Sequence, residues 1–418
     1  MKFFKNSYYL LACCFLFPFY YFSKSIPVCK DCTVKKIETA LSLAKNGDVL
    51  ELFNEKYSEF NLKIDKKITL KGKKNSIIDV KGKGNGILIY SDDVQINTLQ
   101  INNVKTSYTD DLAGIKLKNV NNCTVKNVTL NNTFFGIYLS KSNNCKLINN
   151  VLKAVAKKES SSGNGIHLWY CNQMIIKGNK ISGHRDGIYL EFVKNSKIFN
   201  NLSKKQIRYG LHFMFSSNNH YQNNRFINNG AGVAVMYSKN IRMNNNVFSE
   251  NWSKISNGLL LKDITDSKIY KNYFKKNTMG ILAEGCNRML IKNNDFIENG
   301  WAIKILGNCY NNRIIYNNFM SNTFEIVTNS STNNNLFEYN FWNQYSGYDI
   351  NKDGIGDVPH SPITLFCFLN EKIPESMVLL RSNFVDLLNL TEKITPVLTP
   401  ESFKDFKPRM KKIQWYNS

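Results

Sequence analysis

The stretch GLHFMFSSNNHYQNNRFINNGAGVAVMYSKNIRMNNNVFS, Gly210 to Ser249, carries one pattern twice. Gly210 and Gly232 each open a run whose apolar residues alternate, GLHF and GVAV. Asn224 and Asn246 each stand two residues before a phenylalanine, Phe226 and Phe248. The step between the copies is 22 residues. Alternation of period 2 over a few residues, bounded by Asn and Gly, marks short strands and turns rather than helices.

The pattern extends both ways. Asn150/Leu152, Asn179/Ile181 and Asn200/Leu202 precede it, and Asn272/Phe274, Asn294/Phe296, Asn317/Phe319 and Asn340/Trp342 follow, in steps of 21 to 29 residues. GIKL, GIYL and GIHL phrases keep time with them. Helical repeats of this length need a 3.6-residue period, and leucine-rich repeats need their own Leu spacing; neither is present. The reading is an all-β, right-handed parallel β-helix, each coil pairing with the next about 4.8 Å away. Inward Phe, Leu and Ile stack as the core, while corner Asn residues take left-handed conformations and bond their like in the next coil. Cys123, Cys145 and Cys171, and separately Cys286 and Cys309, keep the same step and read as stacked interior thiols, with a cross-coil disulfide as the lesser alternative.

Both ends of such a solenoid need cover. Thr33 to Leu52 holds Ile37, Leu41 and Leu43/Ala44 at helical spacing, which predicts a capping helix, and the coils with this cap span 33–345. Residues 346–360 break the repeat. Residues 361–418 form a C-terminal extension in which Pro374 to Ile394 reads as one amphipathic helix. Its apolar face, Met377, Leu380, Phe384, Leu387 and Leu388, either covers the last coil or docks on another protein.

Residues 1–25, a short cationic start and the apolar run Tyr8 to Phe22, read as a signal peptide for export, with an uncleaved anchor as the main alternative. Ten cysteines are present; Cys29 and Cys32 form an isolated C-x-x-C, read as a disulfide or an inert pair rather than zinc ligands. The net charge of +23 comes without a nucleic-acid recognition motif, so nucleic acid is not an expected partner.

Alternation also says which side chains face outward. The second and fourth residues after each Gly form the row Tyr138/Ser140, His167/Trp169, Tyr189/Glu191, His212/Met214, Ala234/Met236 and Leu260/Lys262. His212 and Met214 then project from one coil about 7 Å apart, with Met236 one coil from Met214. Imidazole and thioether suit Cu(I) and are poor ligands for Mg²⁺ or Ca²⁺. Two readings fit: His212, Met214 and Met236 as a copper site, or an insert or partner covering the face as ordinary packing.

YDINKDGIGD places Asp349, Asn351, Asp353, the carbonyl of Ile355, and Asp357 at calcium-loop spacing, with His360 where a bidentate Glu belongs. Ca²⁺ here and a metal-free cluster of Asx turns are the two readings. His184, Arg185, Asp186 and Glu191 raise the alternative of a carbohydrate-active β-helix enzyme, a lyase or epimerase on acidic polysaccharide. Arg185 and Asp186, with Arg208 one coil on, serve equally as a corner brace. The outward strip is expected to lack the rows of carboxylates and aromatics of a sugar cleft, so no catalytic residue is assigned.

Taken together, RDGIYLEF, RYGLHFMFS, GAGVAVMYS, GLLLKD, NGWAIKILGN, GYDINKDGIGDVPHSPITLF, LLRSNFVDLL and PVLTP resemble the NosD family from about Ile37 to Pro400. The resemblance implies a periplasmic β-helix sitting on the membrane subunit of an ABC transporter with a cytoplasmic ATPase. It also implies copper received from a small lipoprotein chaperone, and help in building the copper centres of apo nitrous oxide reductase. On this reading the segment after Ser361 clasps the transporter and holds the protein at the inner membrane. The signal segment, Cys29 and Cys32, and the tail KPRMKKIQWYNS depart from the pattern.

Overall fold

Strands of two to six residues, separated by corners, wind the chain into a parallel β-solenoid with three sheets of 14, 13 and 12 strands. In the computed structural model, residues 24–73, 75–253, 256–330, 334–394 and 403–414 are described, so the apolar run read as a signal lies outside them. The first sheet runs from Ser25–Val28 to Leu336–Glu338, the second from Lys56–Tyr57 to Phe341–Trp342, and the third from Leu62–Ile64 to Phe324–Thr328. Apart from the first pair, Ser25–Val28 with Val49–Leu52, each neighbour in a sheet is the third strand along the chain, because every coil contributes one strand to each wall.

The interior is a stack of like on like. Phe226, Phe248, Phe274, Phe296, Phe319 and Trp342 lie ring over ring at centroid separations of 5.5, 4.6, 4.9, 5.0 and 4.2 Å. Gly232 opens its third-sheet strand because a β-carbon there would sit 2.4 Å from the Gly258 carbonyl of the next coil. Cys123, Cys145, Cys171, Cys286 and Cys309 are buried free thiols.

Asparagine divides two tasks that the repeat seemed to assign to one residue. The left-handed positions are Asn149, Asn223, Asn245 and Asn293, among others, while their following neighbours turn inward with ordinary backbone. Asn150, Asn179, Asn201, Asn224, Asn246, Asn272, Asn294, Asn317 and Asn340 form one continuous amide ladder, each Nδ2 donating to the next Oδ1. The pairing Asn200/Leu202 is therefore corrected by one position. Asn200 is left-handed, Asn201 is in the ladder, and the interior position of that coil belongs to Ser203.

Cys29 and Cys32 are joined by a disulfide in the first turn after Ser25–Val28. A loop this short restricts the unfolded chain little, so reduction should lower stability by about 2 kcal/mol. Urea denaturation with and without dithiothreitol measures that loss.

Helix α1, Ile37–Leu43, covers the first coil with Ile37, Ala40 and Leu41; Leu43, expected inside, points to solvent. At the far end the extension divides. Residues 403–413 close the last coil: Phe403 is buried, and Asp405 Oδ2 ends the ladder by accepting from Asn340 N, Asn340 Nδ2 and Trp342 Nε1, each at 3.0 Å.

The segment read as one helix is a 3₁₀ stretch, Pro374–Leu379, followed by α3, Asn383–Ile394. Ser382 and Asn383 favour a break at this point because their side chains compete with helical hydrogen bonding. Between Ser361 and Pro374 a further helix, α2 (Leu365–Lys372), is capped by Thr364 Oγ1 accepting from Cys367 N. The group lies against the outer side of Phe324 and Val327 rather than over the end of the coil, with Phe366, Cys367 and Val385 buried between them. Met377 and Leu380 pack into that contact, so they are not free for a partner; Phe384 and Leu387 are exposed and Leu388 is half-buried.

Candidate metal centre on the third sheet

Parallel pairing sets every outward residue over its equivalent in the next coil. One row reads Tyr138, His167, Tyr189, His212, Ala234, Leu260; the other reads Ser140, Trp169, Glu191, Met214, Met236, Lys262. Met214 and Met236 are therefore direct neighbours one coil apart, both half-buried, while Leu211 and Phe213 on either side of His212 fill the core. His167 lies two coils from His212, with Tyr189 between them.

His212 does not project into solvent as expected; it is only 3% exposed. Alternation places it on the outer face, but aromatic neighbours cover it. The rings of Tyr189 and Tyr209 stand 4.9 and 4.8 Å from the imidazole, centroid to centroid. Beneath it lies Asp186, fully buried, with one carboxylate oxygen accepting from Tyr209 N at 3.2 Å and the other 3.6 Å from His212 Nδ1. Neither His212 nitrogen completes a hydrogen bond within the protein.

The strip also carries the aromatics that the sequence reading denied it. Phe135, Tyr138, His167, Tyr189 and His212 follow one another at 4.7 to 5.5 Å. Beside them Tyr170, Phe192, Phe215 and Tyr237 stack at 4.5, 5.2 and 5.1 Å, all at left-handed positions. The signal for this second ladder was an aromatic five residues after each of Gly165, Gly187, Gly210 and Gly232. In the second ladder the ring faces are turned on one another, and in the first the contacts are mostly edge-on or tilted, so ring surface that a sugar would need is taken up by neighbouring rings.

The residues considered for acid–base work do not share a cleft. His184 is enclosed inside a corner, Asp186 is sealed under His212, and Glu191 faces outward beside Met214. Arg208 pairs with Glu159 at 3.2 Å and lies over the Tyr209 ring; burial works against its charge, but Asp186, Tyr209 and Glu159 together outweigh it and favour the charged form. In the 346–360 loop the oxygens of Asp349, Asn351, Asp353 and Asp357 accept from the loop's own amides. The Asp353, Gly354, Ile355 and Ile350 nitrogens donate at 2.7 to 3.2 Å, the arrangement of clustered Asx turns. Among the described residues no three His, Cys, Asp or Glu groups converge on a point where a metal would be held by them alone.

Burial pushes the His184 imidazole down to about 4, against the opposing pull of the Phe134 carbonyl. The unfolded chain takes up that proton first, from about pH 6.5 downward, so stability falls as pH drops from there towards 4. The slope for one such group is about 1.4 kcal/mol per pH unit. Denaturation at pH 7 and pH 5 should therefore show a loss about 2 kcal/mol smaller in His184→Gln than in the parent chain.

Comparison with known proteins places these features. Residues 153–353, which hold His212, Met214 and Met236, match the family model described as NosD, periplasmic copper-binding protein. A Pseudomonas aeruginosa protein described as a probable ABC transporter binding protein NosD is 25% identical over 370 residues, 84% of this chain and 86% of that one. A Stutzerimonas stutzeri protein of the same description is 27% identical over 124 residues, 29% of this chain and 28% of that one.

Among solved structures, the Yersinia enterocolitica family 28 exopolygalacturonase superposes with a TM-score of 0.55 at 11% identity, over 72% of this chain and 74% of its own. The Streptococcus pneumoniae surface adhesin PfbA gives 0.54 at 13%, over 77% and 91%. Both likenesses are of fold alone. Among the described residues no helix is long and apolar enough to cross a membrane. The solenoid, the family model and the match to the Pseudomonas aeruginosa protein along 84% of the chain agree: residues 153–353 carry the NosD domain, described as a periplasmic copper-binding protein, and the chain resembles that family along most of its length.

Proposed function

We propose that the chain carries Cu(I) as cargo on His212, Met214 and Met236 and presents it for assembly of the copper centres of nitrous oxide reductase, without catalysis of its own. The observation that carries this reading is the direct pairing of Met214 with Met236, with His212 two residues from Met214 on the same face. Thioether and imidazole without thiolate form a soft, weakly charged set, suited to a monovalent copper ion that must later leave. Asp186 supports it, because a carboxylate facing Nδ1 keeps the proton there and leaves Nε2 as the ligand. The rings of Tyr189 and Tyr209 would have to part slightly for Nε2 to meet the ion.

In this reading the ion arrives from a small lipoprotein chaperone. The protein works with an ABC transporter, as the descriptions of its relatives suggest. Phe384 and Leu387, exposed on α3, are the apolar residues offered to that membrane partner. Anaerobic titration with Cu(I) against a competing chelator tests the site, using the parent chain and His212→Ala. Equal affinity in the two would remove His212 from the site. Release of unsaturated products from a uronate polymer would restore the enzyme reading.

A further inference from the structure

Four consecutive coils set Lys197, His220, Arg242 and Lys268 one over another on the outer face of the first sheet, each the direct register partner of the next. Lys197, Arg242 and Lys268 are exposed, and His220 is half-buried. The step between them is the strand spacing, about 4.8 Å. They line a groove of about 600 Å³ with Asn195, Asn218 and Asn240 on its corner side. That volume falls in the usual range of ligand sites, about 300–1,000 Å³.

Like charges directly opposite one another destabilise a sheet. Elsewhere this solenoid crosses signs between coils. Lys71 faces Glu51 on the same sheet at 4.0 Å, Lys67 reaches Asp93 at 3.2 Å, and Arg288 holds Asp266 at 2.7 and 2.9 Å. Among the described residues, Lys197, Arg242 and Lys268 form no ion pair, and Asp266, the carboxylate of the groove, is already engaged by Arg288. An anion from outside the chain would neutralise such a file of cations. We propose that this groove binds a linear acidic glycan, with one carboxylate per sugar ring, laid along the axis of the solenoid.

Spacing selects the class of anion. Phosphates along one strand of a nucleic-acid duplex recur about every 3.4 Å. Side chains on one face of an extended acidic peptide recur about every 6.7 Å. Sugar rings linked end to end advance by nearly one coil, about 4.8 Å, so successive uronates meet successive coils. The neighbouring row on the sheet is neutral over the same four coils: Phe199, Gln222, Asn244 and Tyr270. The charges on this face thus form a line rather than a field, which suits a linear polymer better than a flat anionic lipid surface. The amides of Asn218, Asn240 and Gln222 both donate and accept, as sugar hydroxyls require. With Asp266 tied to Arg288 the groove offers no free carboxylate for acid–base work, so the polymer is held rather than cut. The groove lies on the first sheet and the copper residues on the third, so the proposal does not depend on copper.

The test uses the secreted chain with galacturonate, tetragalacturonate and phosphatidylglycerol vesicles as probes, read by titration calorimetry at low salt and, for vesicles, by co-sedimentation. Tetragalacturonate should bind saturably, and the monomer at least about tenfold more weakly, because it meets one cation of the file. Arg242→Gln combined with Lys268→Gln should weaken the tetramer about tenfold. The double variant should keep its copper affinity and lose no stability, since it relieves repulsion. Lys180→Gln combined with Lys204→Gln removes the same charge from exposed positions on the second sheet and should leave tetramer binding unchanged. Equal weakening in the two double variants means attraction to the net charge of +23 alone, and overturns the proposal. Absence of saturable tetramer binding overturns it too, and vesicle binding lost only in the first double variant would then assign the cations to lipid.

Discussion

Asn272→Leu should be the most damaging single substitution of its size in the coil region, lowering stability by about 4 kcal/mol. Leucine has nearly the shape of asparagine, so packing is retained and the loss is one of hydrogen bonds. Asn272 Oδ1 accepts from Asn246 N and Asn246 Nδ2, both at 3.0 Å, and Asn272 Nδ2 donates to the Met243 carbonyl at 2.9 Å and to Asn294 Oδ1 at 3.0 Å. The Asn246 amide nitrogen would be left buried without an acceptor, and each such group costs about 1–3 kcal/mol.

The neighbouring coils depend on the same chain of amides, and nearest-neighbour coupling in a solenoid spreads the damage. Asn245→Gly, one residue from the ladder at a left-handed position with φ of 54°, provides the contrast. Glycine enters that conformation freely, and the change should stay within about 1 kcal/mol. Urea denaturation of both variants decides the matter. Similar losses in the two would mean that the ladder does not hold the solenoid.

The second large effect concerns the cargo. Met214→Leu combined with Met236→Leu should reduce Cu(I) affinity at least about a hundredfold, since even supporting residues around a metal are worth 10–100-fold. Met and Leu are close in volume, and such exchanges usually change stability by less than about 1.5 kcal/mol. Affinity and folding are therefore separated in this variant, which His212→Ala alone does not achieve, because it would leave the enclosed Asp186 carboxylate without its imidazole neighbour. Competition titration beside a denaturation curve measures both. A double variant that binds copper as tightly as the parent would place the ion elsewhere.

Much of this was legible in local pattern. Alternation around Gly210 and Gly232 reveals which residues share a face, and the 22-residue step sets Met214 beside Met236, because a parallel coil repeats its register whenever its length repeats. The insertion of Ser203 at an interior position broke the reading by one residue, since register was judged from apolar side chains and that coil lacks one there. The extension after Ser361 was harder still. Its apolar positions were visible, but amphipathic pattern does not name the surface that covers it, and Met377 and Leu380 turned out to face Phe324 and Val327 from the solenoid's own wall.

The amino-acid order by itself determined the coil, its step, the aromatic core and the outward side of His212, because these follow from side-chain alternation between near neighbours. Folding in three dimensions decided what alternation cannot express. Tyr209 and Tyr189 close over the imidazole, Asp186 comes to lie beneath it, and Asp405 ends an amide ladder 65 residues away from Asn340. Burial depends on the neighbours that distant segments supply, and no periodicity within one strand records them.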